Sequence, residues 1–123
     1  MTTAFWCVLV AGFLPIVAVG LAKAQSGFDN HAPRAWLARL EGWRARAHAA
    51  HLNSFEAFAP FAAAVIIAHL AHAAQGRIDL LALGFIAARI AYIALYITDR
   101  ATLRSVAWTI GTGCVIALFV AGA

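Results

Sequence analysis

The stretch His48-Ala-Ala-His51-Leu-Asn53-Ser-Phe-Glu56-Ala-Phe-Ala-Pro60 opens an apolar run long enough to cross a bilayer, yet it carries an amide and a carboxylate. An ionisable group inside a membrane costs about 2.5 to 3.5 kcal/mol on insertion scales, so it faces a partner or a wet cavity rather than lipid. Asn53 and Glu56 are spaced i, i+3, which puts them on one face of a helix. At about 100° per residue, Arg39 and Arg46 fall on nearly the same stripe, and a polar ladder is expected to run from the membrane surface to Glu56.

The rest of the chain agrees with a membrane reading. Its 123 residues are 64% hydrophobic and 11% charged, with a mean hydropathy of +0.85, where soluble domains carry roughly 25% charged residues. The composition predicts an all-α integral membrane four-helix bundle in a single domain, because at about 20 residues per span four helices use up the length. The expected spans are 3–22, 47–74, 79–98 and 104–123. The net charge is +4, but the basic residues flank the spans instead of alternating with exposed aromatics, so nucleic acid is not an expected partner. Cys7 and Cys114 lie in apolar segments and read as packing residues. His48 with His51, and His69 with His72, are i, i+3 pairs without a third ligand, so no metal is expected.

Ala22-Lys23-Ala24 before Gln25 has the small-residue spacing of a signal-peptidase site, but no Lys or Arg precedes the apolar core, so the first span is expected to be retained. Pro33 suits a first helical turn, and Trp36, Leu40 and Trp43 form an interfacial apolar face, so the second helix is expected to start on the surface and continue inward, bending at Gly42. Gly76 is the expected stop of that span. Gly111 and Gly113 are expected to let the last span approach its neighbours closely. Lys23, Arg34, Arg39, Arg44 and Arg46 separate spans one and two, and Arg100 and Arg104 separate spans three and four, against Arg77 alone on the other side. By the positive-inside rule both termini lie outside the cell's inner membrane and both basic loops face the cytoplasm.

Span three supplies a second polar stripe, with Arg89, Tyr92, Tyr96, Asp99 and Arg100 inside an arc of roughly 100°. Counted from the cytoplasmic boundary, Glu56 and Arg89 both lie about 14 to 15 Å deep, so they are expected to pair as a structural ion pair. Arg46, Asn53, Tyr92, Tyr96, Arg100 and Arg104 converge on the cytoplasmic end of one groove. Several cations, one carboxylate and an amide suit a ligand with two carboxylates and an amine, which describes glutathione.

His51-Leu-Asn53-Ser-Phe-Glu56 followed by Pro60 resembles the second-helix Asn-x-x-Glu motif of the MAPEG family, the membrane-associated proteins in eicosanoid and glutathione metabolism. Arg89-Ile-Ala-Tyr92-Ile-Ala-Leu-Tyr96 is similar to its third-helix Arg-x-x-Tyr-x-x-x-Tyr, and Arg104-Ser105 to the Arg-Ser that opens the fourth helix in its prostaglandin E synthase branch. The motifs occur in order over nearly the whole chain. The resemblance implies a bacterial-type homotrimer that binds glutathione as co-substrate between subunits, without a metal. It implies that Asn53 and Glu56 hold the peptide backbone and amine, that Tyr92 and Tyr96 line the site, and that Arg104 and Ser105 lie nearest the thiol. Members often carry an arginine four residues before the Asn, where this chain has Ala49, and Arg46 is the expected substitute. Arg104, Ser105 and Tyr96 are the candidates for activating the thiol, and a glutathione transferase or peroxidase acting on a lipophilic small molecule is the expected activity. One alternative is a non-catalytic lipid- or thiol-binding protein of the same fold. Another is a small four-span transporter, which would carry its carboxylate in the first span, where this chain has no acid.

Overall fold

The computed structural model describes residues 1–123 and is entirely helical. The helices are α1 (Thr3–Lys23), α2 (Pro33–Leu37), α3 (Gly42–Leu70), α4 (Gln75–Ile97) and α5 (Ala101–Ala121). All but the short α2 are long and apolar enough to cross a membrane. Only 24 of 123 residues are buried, while Phe13, Val17, Leu80 and Val120 are more than half exposed. Such an apolar exterior fits lipid as its solvent.

Small residues decide how the helices meet. The buried face of α1 is Ala4, Cys7, Ala11, Pro15, Ala18 and Ala22, a stripe recurring every three or four residues. Lipid-soluble helices gain little from apolar burial against one another, so association relies on backbones approaching closely across such stripes. α1 packs mainly on α3, and α4 on α5. Phe61 of α3 and Phe85 of α4 stack at 3.9 Å between centroids in the middle of the core. Gly111 faces Ala88, where an added Cβ would lie 3.6 Å away, whereas Gly113 has open space around it. Of the two glycines expected to allow close approach, Gly111 is the one at an interface.

Two features of the second helix differ from expectation. The chain leaves the helix after Leu37 and re-enters at Gly42, whose φ of +62° is a left-handed conformation that costs glycine little. The expected bend is therefore a break, and Arg39 drops out of the polar stripe to donate to the Ala35 carbonyl at 3.3 Å. Leu37 fixes the corner by packing with Ala22 and Ala47. At the other end α3 stops at Leu70, ahead of Gly76, which lies in the first turn of α4. His72 takes the left-handed role there with φ 56°, and the Ala73 and His72 N–H groups close a Schellman motif on the Ala68 and His69 carbonyls. Asp99 (φ 58°) ends α4 in the same way.

Candidate functional site

α3, α4 and α5 enclose a groove made of two joined cavities. The outer one, about 450 Å³, is lined by Asn53, Tyr92, Tyr96, Arg104, Ser105, Trp108 and Thr109. The inner one, about 330 Å³, is bounded by Asn53, Glu56, Pro60, Phe85, Arg89 and Trp108, with Gly111, Thr112 and Val115 of α5. Asn53 and Trp108 belong to both. The polar residues of α3 and α4 thus meet the start of α5 in one place.

Cations and rings alternate along the groove. The Arg89 Cζ lies 4.1 Å from the Tyr92 ring centroid and the Arg104 Cζ 4.3 Å from that of Tyr96. The two tyrosines meet edge to face at 5.7 Å. Cation–π contact of this kind holds each guanidinium in place while leaving its N–H donors available.

Arg89, 3% exposed, donates through Nη2 to Ser54 Oγ at 3.0 Å. Glu56 accepts instead from Asn53 Nδ2 at 3.3 Å. Ser54 therefore stands where depth alone placed Glu56. The reason is rotation about the helix axis: at about 100° per residue, positions 54 and 56 point to nearly opposite sides of α3, and the buried side belongs to Ser54, which itself donates to the Ala50 carbonyl at 2.8 Å. Glu56 is exposed on the single chain, though it shares the inner cavity with Arg89. The Asn53 Oδ1 is buried without a hydrogen-bond partner.

Of the residues expected at the site, the structure brings Asn53, Tyr92, Tyr96, Arg104 and Ser105 around the outer cavity and Glu56 and Arg89 around the inner one. Two stand apart. Arg46 donates through Nε to the Ile97 carbonyl at 3.1 Å and so ties α3 to the end of α4, and Arg100 is exposed at the N-cap of α5. The Ser105 hydroxyl donates to the Ala101 carbonyl at 3.1 Å, so acting as a donor elsewhere requires it to rotate. Trp108 and Thr109 line the cavity without having been foreseen. The signal was present, since each stands one helical turn beyond Arg104 and Ser105.

His51 and His69 have structural partners: His51 Nδ1 bonds the Pro15 carbonyl at 2.7 Å and His69 Nδ1 that of Val65 at 2.8 Å.

The family model described as the MAPEG family matches residues 3–123. No curated protein and no solved structure matches the chain.

Proposed function

The chain belongs to the MAPEG family, and from that premise we propose that it binds glutathione in the α3–α4–α5 groove and transfers the thiol to a lipophilic electrophile or uses it to reduce a peroxide. The observation that carries the reading is the buried Asn53 Oδ1, an acceptor without a donor, on a residue that donates to Glu56 and shares the outer cavity with Arg104. Buried polar atoms are almost always bonded, and an orphan in a cavity marks where a ligand donor fits. In this reading Asn53 accepts a peptide N–H, Glu56 takes the ammonium, and Arg104 takes a carboxylate or the sulfur. Arg46 and Arg100 stand outside both cavities and add positive potential at the mouth rather than a contact.

The chemistry requires a thiolate. A free thiol with a pKa near 8.5 is mostly protonated at neutral pH, and a guanidinium beside the sulfur favours the anion. Arg104 is the activator in this proposal, and Tyr96, stacked under it, holds it in position. The thiolate attacks an electrophilic carbon, a C–S bond forms, and the leaving group departs with its electron pair.

We also propose that the groove is completed by neighbouring copies. Leu52, Phe55, Ala59, Ala63, Ile66 and Leu70 recur every three or four residues along the exposed side of α3, which is the pattern of a helix–helix seam. Glu56 lies beside this seam, and covering it removes the cost of a carboxylate facing lipid. Three copies is the number that the MAPEG resemblance implies, and it is part of this proposal. The excess of flanking basic residues in the two loops supports a groove mouth on the cytoplasmic side of the inner membrane with both termini outside.

The test is a conjugation assay on purified protein in detergent with a panel of lipophilic electrophiles, together with thermal melting in glutathione. Glutathione-dependent product from at least one electrophile is expected. A melting shift without product reduces the protein to a thiol-binding member of the fold, and a melting curve unmoved by millimolar glutathione in a folded, oligomeric sample overturns the assignment.

A further inference from the structure

A second cationic cluster lies outside the groove, at the seam where α1 runs out and α3 begins. Lys23 is the last residue of α1, and its Nζ sits 4.9 Å from the centroid of the Phe28 ring. Arg44, in the first turn of α3, donates through Nη2 to the carbonyl of Ala24 at 3.3 Å and lays its Cζ 4.4 Å over Trp43. The two cations are thus held at adjacent points of the chain by rings and a backbone carbonyl, not by a carboxylate. Asp29, in the same loop, is engaged by the backbone N–H of His31 at 2.9 Å.

Capping the end of α1 accounts for one of the five guanidinium donors of Arg44. The Arg44 Nε is buried with no partner. Arg44 as a whole is only half-buried, and the donors of such a cation that lack a protein partner are positions that an anion would satisfy. Arg34 in α2 and Arg39 just after it are exposed on the same connection between α1 and α3, and Trp43 at its end is 39% exposed. Tryptophan at the end of a span marks the headgroup layer.

Below the cluster the surface becomes an apolar channel. Gly20 and Ile16 follow Lys23 down one face of α1 at helical spacing. Gly20 has nothing within 4 Å of where its Cβ would stand. Ile16 is in turn one wall of an apolar groove of about 570 Å³ between α1 and α3, which Phe13 and Phe58 continue. A cationic seat opening onto an apolar channel matches one chemical class: a phosphodiester headgroup with an acyl chain.

We propose that Lys23 and Arg44 hold the phosphodiester of an anionic phospholipid whose acyl chain lies over Gly20 and Ile16 into the α1–α3 groove, with Arg34 and Arg39 at the rim. The proposal does not rest on glutathione binding. Detergent-purified protein is mixed with equal mole fractions of dioleoylphosphatidylglycerol and dioleoylphosphatidylcholine, and retained lipid is counted by native mass spectrometry. Two parallel samples receive dioleoylphosphatidylglycerol or inorganic phosphate and are followed by thermal melting. Phosphatidylglycerol should be retained in preference. At about 1 kcal/mol per interfacial cation, Lys23→Gln should lower that preference about fivefold, and the Lys23→Gln, Arg44→Gln pair about 25-fold if the two add. Gly20→Leu should lower retention by blocking the channel while leaving the melting temperature in place. Should the double variant fail to fold, the two single variants decide, since Lys23 makes one ring contact and Gly20 none. Equal retention of the two lipids, or a preference unchanged in both single variants, overturns the proposal. Inorganic phosphate raising the melting temperature as much as the lipid does would identify a site for soluble anions and overturn it too.

Discussion

The two ends of the bundle treat their polar groups differently. At the end holding Thr2 and Asp79, no buried side-chain polar atom lacks a partner: Asp79 Oδ1 accepts from the Ala4 N–H at 2.8 Å and from Gln75 Nε2 at 2.9 Å. His69 bonds the Val65 carbonyl through Nδ1 and Thr2 Oγ1 through Nε2 at 3.2 Å, and stacks on Phe5. At the other end Arg44 Nε, His48 Nδ1 and Asn53 Oδ1 are buried without partners, and three arginines lie on aromatic rings. The first end is a closed polar knot that ties α1 to α3 and α4. The second is held in shape by packing while its donors and acceptors stay open, as a ligand-binding region needs.

If this contrast is sound, mutations at the two ends should separate stability from binding. The largest effect is expected from Arg104→Ala. At glutathione a hundredfold above its dissociation constant, ligand stabilisation of about 2.7 kcal/mol should vanish, while the ligand-free melting temperature falls little, because the structure gives Arg104 a ring contact worth only about 0.5 to 1 kcal/mol. Asp79→Ala should do the reverse. Losing two hydrogen bonds to a carboxylate should cost about 2 kcal/mol in a denaturation series and leave the glutathione shift intact. Both variants moving both readouts would erase the distinction between the ends.

A third comparison falls inside the groove. Ser54→Ala removes the acceptor of a buried guanidinium and should cost about 1.5 kcal/mol, more than Glu56→Gln measured without ligand. Glu56→Gln costing more would mean that the assembled protein brings the carboxylate to Arg89 after all. The smallest effect tests what the two ends share. His72 and Asp99 both hold left-handed caps, so His72→Gly and Asp99→Gly should each raise stability, by about 0.5 kcal/mol once glycine's own entropy cost is counted. Thermal melting of both variants checks this.

The groove shows how far residue spacing carries. The i, i+3 spacing of Asn53 and Glu56 and the Arg89-Tyr92-Tyr96 periodicity put these side chains on one face of each helix, and Asn53, Tyr92 and Tyr96 share the outer cavity with Arg104 and Ser105. The same periodicity puts Arg46 on the stripe, and its Nε donates to the Ile97 carbonyl. Spacing gives an angle on one helix, and whether that angle meets a cavity or a neighbouring backbone depends on a second helix.

The sequence by itself determined that this chain is a four-span helical membrane protein, and how far along its own helix each polar side chain sits. Transfer into a bilayer adds up residue by residue along one segment, and rise per residue is fixed, so both quantities are local. Only the tertiary structure decided that Ser54 rather than Glu56 bonds Arg89, that the chain breaks at Gly42 so that Arg39 leaves the stripe, and that Trp108 joins the two cavities. These depend on how each helix is rotated against the others, which is set by small-residue faces such as Ala4, Ala11 and Ala18 packing against partners far away in sequence.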